Sequence, residues 1–548
     1  MHAPPGYTPG SYDSRGNYIP TDDEVMAYQA ARVAWEDQVV YGYYALAFIV
    51  GVLALAVVSH LFWVLRVRYN RLGKVVGYAR LAAALRLMSY PRLMPTSLNW
   101  IWSWGALGPN LILVAGLLVA SCLTWVNKLY YYPPYYGSAP LYLRSEWIAM
   151  ATLPFVYVLG AKRNMLSVLT GVSHEKLQIL HQGAAFNFIY MSLVHTITAC
   201  IRADREYGLV LTIQFDDIYI SGFVALAPLL VLFVGSLPPI RKYLYEAFYY
   251  VHIVMALFFL GALFWHGYGL LDNDSVAWRL GWMLLNNPSW HLARIELLSE
   301  DTYKLTVPTY TLKWKAGQHV FLRFMAVRAL ESHPFTISNM CTAGEVDTMV
   351  FLVRSQNGFT KALLQHALRT NTGEYKVLVD GPYGHSADEL RVFDSVLVCV
   401  GGSGISWAVA VLQALAASPR PPAIKLVWAV RDASAQGWFA SEIAALNKAA
   451  TVEIHVTGGG HDSPASAHSD KEDSPSMSSA IQHGRPDFKA IIAHHVGQAQ
   501  GSVAVAACGP ESLLADCANG VWRVELDILM GRLPEVDEVY FASEAYGW

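Results

Sequence analysis

The stretches HQGAAFNFIYMSLVH (181–195) and HIVMALFFLGALFWH (252–266) decide the reading of this chain. Both are apolar, and each begins and ends on a histidine, fourteen positions apart. At about 100° per residue, fourteen residues fall roughly 40° short of four helical turns, so the two histidines of each stretch share one helix face. At about 1.5 Å of rise per residue they stand roughly 21 Å apart, most of the thickness of a bilayer's hydrocarbon core. Two such helices running the same way bring histidines together at two depths, His181 with His252 and His195 with His266.

The surrounding sequence supplies a membrane for them. The 548 residues are 54% hydrophobic and 15% charged, where a soluble enzyme carries about 25% charge. The apolar excess lies before about residue 270, which predicts a membrane domain followed by two domains of ordinary size. Stretches long enough to span, or nearly so, run at 41–65, 106–126, 146–161, 183–201, 217–236 and 248–266, the third being short. The 66–92 loop carries Arg66, Arg68, Arg71, Lys74, Arg80, Arg86 and Arg92, and the 162–182 and 237–247 loops are also basic. The positive-inside rule places these loops in the cytosol and the N-terminus outside. The fourth and sixth spans then run in parallel from cytosol to exterior, which makes His181/His252 the cytosolic pair and His195/His266 the outer one.

Ionisable groups inside a span are costly and tend to be functional. Each histidine pair is expected to give two axial imidazoles to one haem iron, so two haems b would stack across the bilayer as an electron path. A single intramembrane histidine such as His60 reads instead as an interfacial or hydrogen-bonded residue. The first 40 residues are polar and show no short apolar core behind a basic start, so no cleavable signal is expected. A net charge of −3 argues against a nucleic-acid partner, and six cysteines without a C-x-x-C pair read as free thiols.

From about 291 the pattern turns to short alternating strands: HLARIELLSEDTYKLTVP (291–308), GQHVFLRF (317–324) and HPFTISNM (333–340). In RSQNGFTK (354–361), Gly358 permits close backbone approach, and the free N–H groups of the helix that follows suit a pyrophosphate. Farther on, the buried strand DSVLVCV (394–400) leads through Gly401, Gly402, Ser403, Gly404 and Ile405 into the apolar helix SWAVAVLQALA (406–416). Strand, glycine turn and helix place phosphate at a helix N-terminus, although Trp407 breaks the full dinucleotide fingerprint. The strand IKLVWAV ends at Arg431, which reads either as the cation that holds a 2′-phosphate or as a solvated loop residue. The segment 457–484 is rich in Gly, Ser, Asp and His and is expected to be a disordered insertion.

The segment His333-Pro334-Phe335-Thr336-Ile337-Ser338 resembles the flavin motif of the ferredoxin-NADP reductase superfamily in its membrane-reductase form. Over about 145–548 the chain resembles the fungal ferric-chelate reductases, relatives of the superoxide-producing NADPH oxidases. Equal spacing in both histidine pairs and an extra N-terminal span favour the metal reductases within that group. The resemblance implies three parts after a polar extracellular stretch (1–40). They are an α-helical transmembrane haem-binding bundle (41–290), a flavin-binding antiparallel β-barrel (291–390) and an α/β nucleotide-binding domain (391–548), a ferredoxin-NADP reductase-like arrangement. It further implies FAD on His333, Pro334, Phe335, Thr336, Ser338, Gly358, Thr360, Lys361 and Gly381. NADPH is implied on Gly401, Gly402, Ser403, Gly404, Arg431, Arg485, Cys508, Gly509 and Pro510. Thr336 is expected near flavin N5, Cys508 near the nicotinamide, and Trp548 stacked on the flavin as the other catalytic positions.

The implied activity is NADPH-driven reduction of ferric chelates, or of cupric ion, at the outer face of the plasma membrane, with a metal permease or oxidase as partner. The alternatives are a superoxide-generating oxidase and a non-catalytic or impaired membrane cytochrome. One departure bears on the last: a further crossing is needed after His266, and the sequence offers only VAWRLGWMLLNNPSW (276–290), interrupted by Arg279, Asn286, Asn287 and Pro288.

Overall fold

The computed structural model describes residues 7–31, 38–69, 78–91, 106–126, 128–162, 165–267, 289–310, 312–329, 331–341, 347–356, 358–370, 374–384, 386–446, 449–458 and 480–545. The weak crossing after His266, most of the 457–484 insertion and Trp548 lie outside these residues. The described residues form two compact units, one from 1–61 and 109–285, the other from 62–93, 106–108 and 289–545.

The first unit is helical. Its elements are α1 (Asp22–Ala30), most of α2 (Val39–Tyr69), α4 (Leu107–Trp125), α5 (Pro140–Gly160), α6 (Met165–Thr170), α7 (His174–Glu206), α8 (Leu209–Phe215), α9 (Asp217–Gly235), α10 (Pro238–Tyr243) and α11 (Tyr245–His266). Among the described residues, five helices (α2, α4, α7, α9 and α11) are long and apolar enough to cross a membrane. The expected span at 146–161 is different in kind. It belongs to the 21-residue α5, which starts earlier, on Pro140. That first half carries Arg144, fully buried, with its guanidinium donating to the carbonyls of Thr124 (2.9 Å) and Leu129 (2.7 Å). Backbone acceptors thus satisfy a charge that would be prohibitive in lipid. α5 packs along α7, and α9 along α11, around Ile148, Leu153, Phe188, Met191 and Phe259. The polar N-terminal stretch is folded onto this bundle. Asp13 accepts from the Tyr135 hydroxyl at 2.6 Å, and the Tyr135 backbone N–H donates to Glu206 at 3.0 Å.

The second unit holds two sheets. The first is antiparallel, in the order β4 (His333–Thr336), β3 (His319–Arg323), β6 (Tyr375–Tyr383), β1 (Ser289–Leu297), β2 (Thr302–Thr309), β5 (Asp347–Arg354). Just past β4, the Ser338 N–H donates to Val350 of β5 at 2.7 Å, closing the sheet into a barrel. The short α12 (Met325–Arg328) follows β3, and α13 (Phe359–Thr370) buries Phe359, Leu363 and Leu364 in the barrel core. The second sheet is parallel, in the order β10 (Ala480–His483), β9 (Ala450–Val456), β8 (Ala423–Val430), β7 (Ser395–Gly401), β11 (Gly501–Gly509), β12 (Val536–Ala545). It is covered by α14 (Ile405–Ala416), α15 (Ala440–Leu446), α16 (Phe488–Gly497) and α17 (Glu511–Leu529). Strand β10 corrects one expectation: the last residues of the 457–484 insertion are ordered, because the edge of β9 offers them a parallel ladder.

The final turns of α2 and all of α3 (Tyr78–Ser89) also belong to the second unit. Trp63 stacks on Tyr540 at 5.0 Å, and Tyr540 on Phe393 at 5.4 Å. Arg66 donates to Glu538 at 2.8 Å, and Arg86 to Glu538 at 3.1 Å and to the Val539 carbonyl at 2.7 Å. These two basic residues, read from sequence only as topology markers, are partners of β12, Arg66 buried and Arg86 half-buried.

Candidate functional site

The histidine pairs meet. The His181 and His252 ring centroids are 6.2 Å apart with planes at 67°, and those of His195 and His266 are 6.1 Å apart at 83°. Two imidazoles bound to one metal through nitrogens at about 2 Å have centroids about 6 Å apart, so each pair has the separation a shared iron needs. The outer edge of every ring is occupied. His181 Nδ1 is 2.8 Å from the Val156 carbonyl and His195 Nδ1 3.2 Å from the Tyr142 carbonyl, both on α5. His252 Nδ1 is 3.3 Å from Ser236 Oγ and His266 Nδ1 3.1 Å from Ser221 Oγ, Ser221 lying on α9 and Ser236 being its C-cap. A carbonyl only accepts, so Nδ1 of His181 and His195 carries the proton and Nε2 is left with its lone pair, the form that binds a metal. Glycines let the rings in: a Cβ at Gly160 would come within 3.2 Å of His181, and one at Gly222 within 3.0 Å of His266. The donor set, its tautomers and the spacing fit two bis-histidine haems.

In the barrel, Thr336 ends β4 on the edge strand, half-buried, beside the half-buried His333 and Pro334. His333 stacks on Phe359 at 4.4 Å, and its Nε2 lies 3.0 Å from a Glu331 carboxylate oxygen. Gly358 has φ +92 with open space where a Cβ would be, at the start of α13, and Lys361 is exposed there. The Thr360 hydroxyl is engaged locally, accepting from the Gln356 N–H at 2.9 Å. Two expected flavin residues do not face the open edge. Ser338 is only 2% exposed because it closes the barrel seam, and Gly381 is buried between β6 and β3. A residue the sequence reading did not single out stands beside Thr336. His319 pairs across the ladder with both Thr336 and Tyr383, placing an imidazole beside the expected N5 contact.

In the parallel sheet, chain connections leave β7 in opposite directions, to β8 on one side and eventually to β11 on the other. Ligands of such sheets bind at this switch point, beyond the strand C-termini. The Gly401–Gly404 turn and Cys508-Gly509-Pro510 lie on its two sides. A Cβ at Gly404 would sit 2.7 Å from the Cys508 carbonyl oxygen, so glycine permits the contact. Cys508 itself is buried under that turn, and Pro510 is exposed. Trp428 on β8, also unforeseen, fixes the turn by donating to the Gly402 carbonyl at 3.1 Å. Ser403 is half-buried in the turn. Arg431 and Arg485 are exposed just past the C-terminal ends of β8 and β10, on the edge that carries the glycine turn, with Arg485 3.5 Å from Asp516.

Three family models match in succession: the ferric reductase-like transmembrane component over 145–263, an FAD-binding domain over 288–387, and the ferric reductase NAD-binding domain over 393–522. A probable cell surface ferric reductase of Aspergillus oryzae is 32% identical over 62% of this chain and 50% of its own length. A ferric/cupric reductase transmembrane component of Saccharomyces cerevisiae is 29% identical over 67% of this chain and 62% of its own. The chain thus spans between half and five-eighths of the length of these relatives. Among solved structures, a ferredoxin-NADP reductase from Neisseria gonorrhoeae matches 47% of this chain and 98% of its own at 12% identity and a TM-score of 0.34. With a ferric reductase-like transmembrane component, an FAD-binding domain and a ferric reductase NAD-binding domain in that order, the chain is similar to the ferric reductases over 145–522.

Proposed function

We propose that this chain is a plasma-membrane ferric-chelate reductase, also able to reduce cupric ion, that moves electrons from cytosolic NADPH to metal outside. The observation that carries the proposal is the pair of histidine meetings on α7 and α11, each with the separation one iron requires. Bound FAD would accept a hydride from NADPH and release electrons singly to two haems b, which relay them across the bilayer. The protein's part is placement. The turn at Gly401–Gly404 and the start of α14 receive the nucleotide phosphates, and Cys508-Gly509-Pro510 borders the nicotinamide position. Thr336, with His319 beside it, addresses the flavin ring, while Gly358 and the N-terminus of α13 take its pyrophosphate. His181 with His252 and His195 with His266 would hold one haem each, and two histidines to an iron would suit electron transfer over oxygen binding. The surface location follows the name of the Aspergillus relative, and reduction of copper that of the yeast one. In membranes bearing the chain, NADPH-dependent ferric chelate reduction is expected to proceed unchanged in the presence of superoxide dismutase. Complete suppression by the dismutase would identify a superoxide-generating oxidase instead.

Arg431 sets the choice of nucleotide in this proposal. A guanidinium at the end of β8 forms charge-assisted bonds with a 2′-phosphate, worth about 1.5–3 kcal/mol. Arg431→Ala is therefore expected to raise the KM for NADPH about ten- to a hundredfold and to leave the KM for NADH unchanged. Equal loss with both nucleotides would make Arg431 a structural loop residue.

A further inference from the structure

The four ligand histidines are not held alike. Those on α7 donate to backbone carbonyls of α5, Tyr142 and Val156, which no substitution can remove. Those on α11 face hydroxyls, Ser221 on α9 and Ser236 at its C-cap. Each hydroxyl proton is already committed to its own helix, Ser221 donating to the Ile218 carbonyl at 3.0 Å and Ser236 to the Leu232 carbonyl at 2.6 Å. What each serine turns toward the imidazole is a lone pair. The Nδ1 proton of His252 and His266 is thereby fixed, and Nε2 is left to the metal. If the serines donated instead, the proton would sit on Nε2 and the ring would be unable to ligate.

We propose that Ser221 and Ser236 are positioning residues that tune the two haems separately, Ser236 the cytosolic one through His252 and Ser221 the outer one through His266. The inference rests on the haem-binding function proposed above. An imidazole whose N–H is hydrogen-bonded is a stronger electron donor and stabilises the ferric state. Removing the acceptor weakens that donation, so the haem becomes easier to reduce.

The test uses the full chain in membranes, as wild type, Ser221→Ala, Ser221→Thr, Ser236→Ala and Ser236→Thr, with haem-to-protein ratio and potentiometric titration of both haems as readouts. The haem that survives in His195→Ala identifies the cytosolic one. Ser236→Ala should raise the reduced-to-oxidised ratio of that haem about tenfold at fixed potential, a shift of about 59 mV for one electron. The outer haem should stay where it was. Ser221→Ala should move only the outer haem. Threonine keeps the hydroxyl and its bond to the helix backbone, so both threonine variants should titrate like wild type. If an alanine variant loses its haem altogether, retention of that haem by the threonine variant supports the proposal. Unchanged potentials in both alanine variants at full haem content would overturn it, as would threonine variants that behave like alanine. Absence of two low-spin haems from the wild type would instead remove the haem-binding function itself.

Discussion

His195→Ala is expected to abolish transmembrane electron flow while leaving NADPH-dependent reduction of the flavin intact. In the proposed electron path His195 and His266, 6.1 Å apart, would hold the outer haem, and alanine removes one of its two imidazoles. The Tyr142 carbonyl that orients His195 belongs to the backbone of α5 and does not move with the substitution. His181 and His252 lie about four turns away on the same two helices and keep their partners. The haem-to-FAD ratio should therefore fall from about two to about one, while rapid mixing with NADPH should reduce the flavin at the wild-type rate. A mutant that retains both haems, or that still reduces external ferric chelate at the wild-type rate, would show that this pair is not the outer relay.

Much of this arrangement was legible because it is periodic. A spacing of fourteen positions between histidines is a property of one helix, and its repetition in a second helix predicts which histidines meet. The parallel sheet was legible from short apolar runs ending in glycine turns. What escaped was set by contacts that leave no local pattern. Ser221 within α9 and Ser236 at its C-cap are single polar residues beside apolar ones, a usual place for a hydroxyl bonded back to its own helix. A weak signal existed: Ser221-Gly222 and Gly235-Ser236 put glycine beside each serine, and Gly222 lies against His266. His319 stood in a strand already recognised, but its register against Thr336 and Tyr383 depends on pairings between distant segments. Arg66 and Arg86 looked like ordinary cytosolic charges because their partners come more than 430 positions later.

Glu538→Ala is expected to destabilise the soluble unit by about 3–5 kcal/mol, the usual cost of removing one partner from a buried ion pair. Glu538 is 2% exposed and receives both Arg66 and Arg86, so alanine leaves two guanidiniums facing a cavity. Glu525 is a poor substitute. It is fully buried, its nearest contact to Arg86 is 3.5 Å, and its other carboxylate oxygen has no hydrogen-bond partner among the described residues. Burial pushes its pKa up to about 7, with Arg86 pulling the other way. The sign follows from that shift. An acid whose folded pKa is raised adds stability below its ordinary value near 4.5, and that stability is lost as the pH rises through about 7. Glu525→Gln should therefore flatten the decline in stability between those pH values, whereas Glu538→Ala should lower the whole curve. In thermal unfolding followed by tryptophan fluorescence, the alanine variant should melt about ten degrees below wild type. Replacing Arg66 and Arg86 by Met together with Glu538 by Leu should recover most of the loss, because a buried ion cluster and a packed apolar one are often close in free energy. A Glu538→Ala variant that melts with the wild type would mean that these charges are solvated, and that α2 and α3 are not anchored to β12 through them.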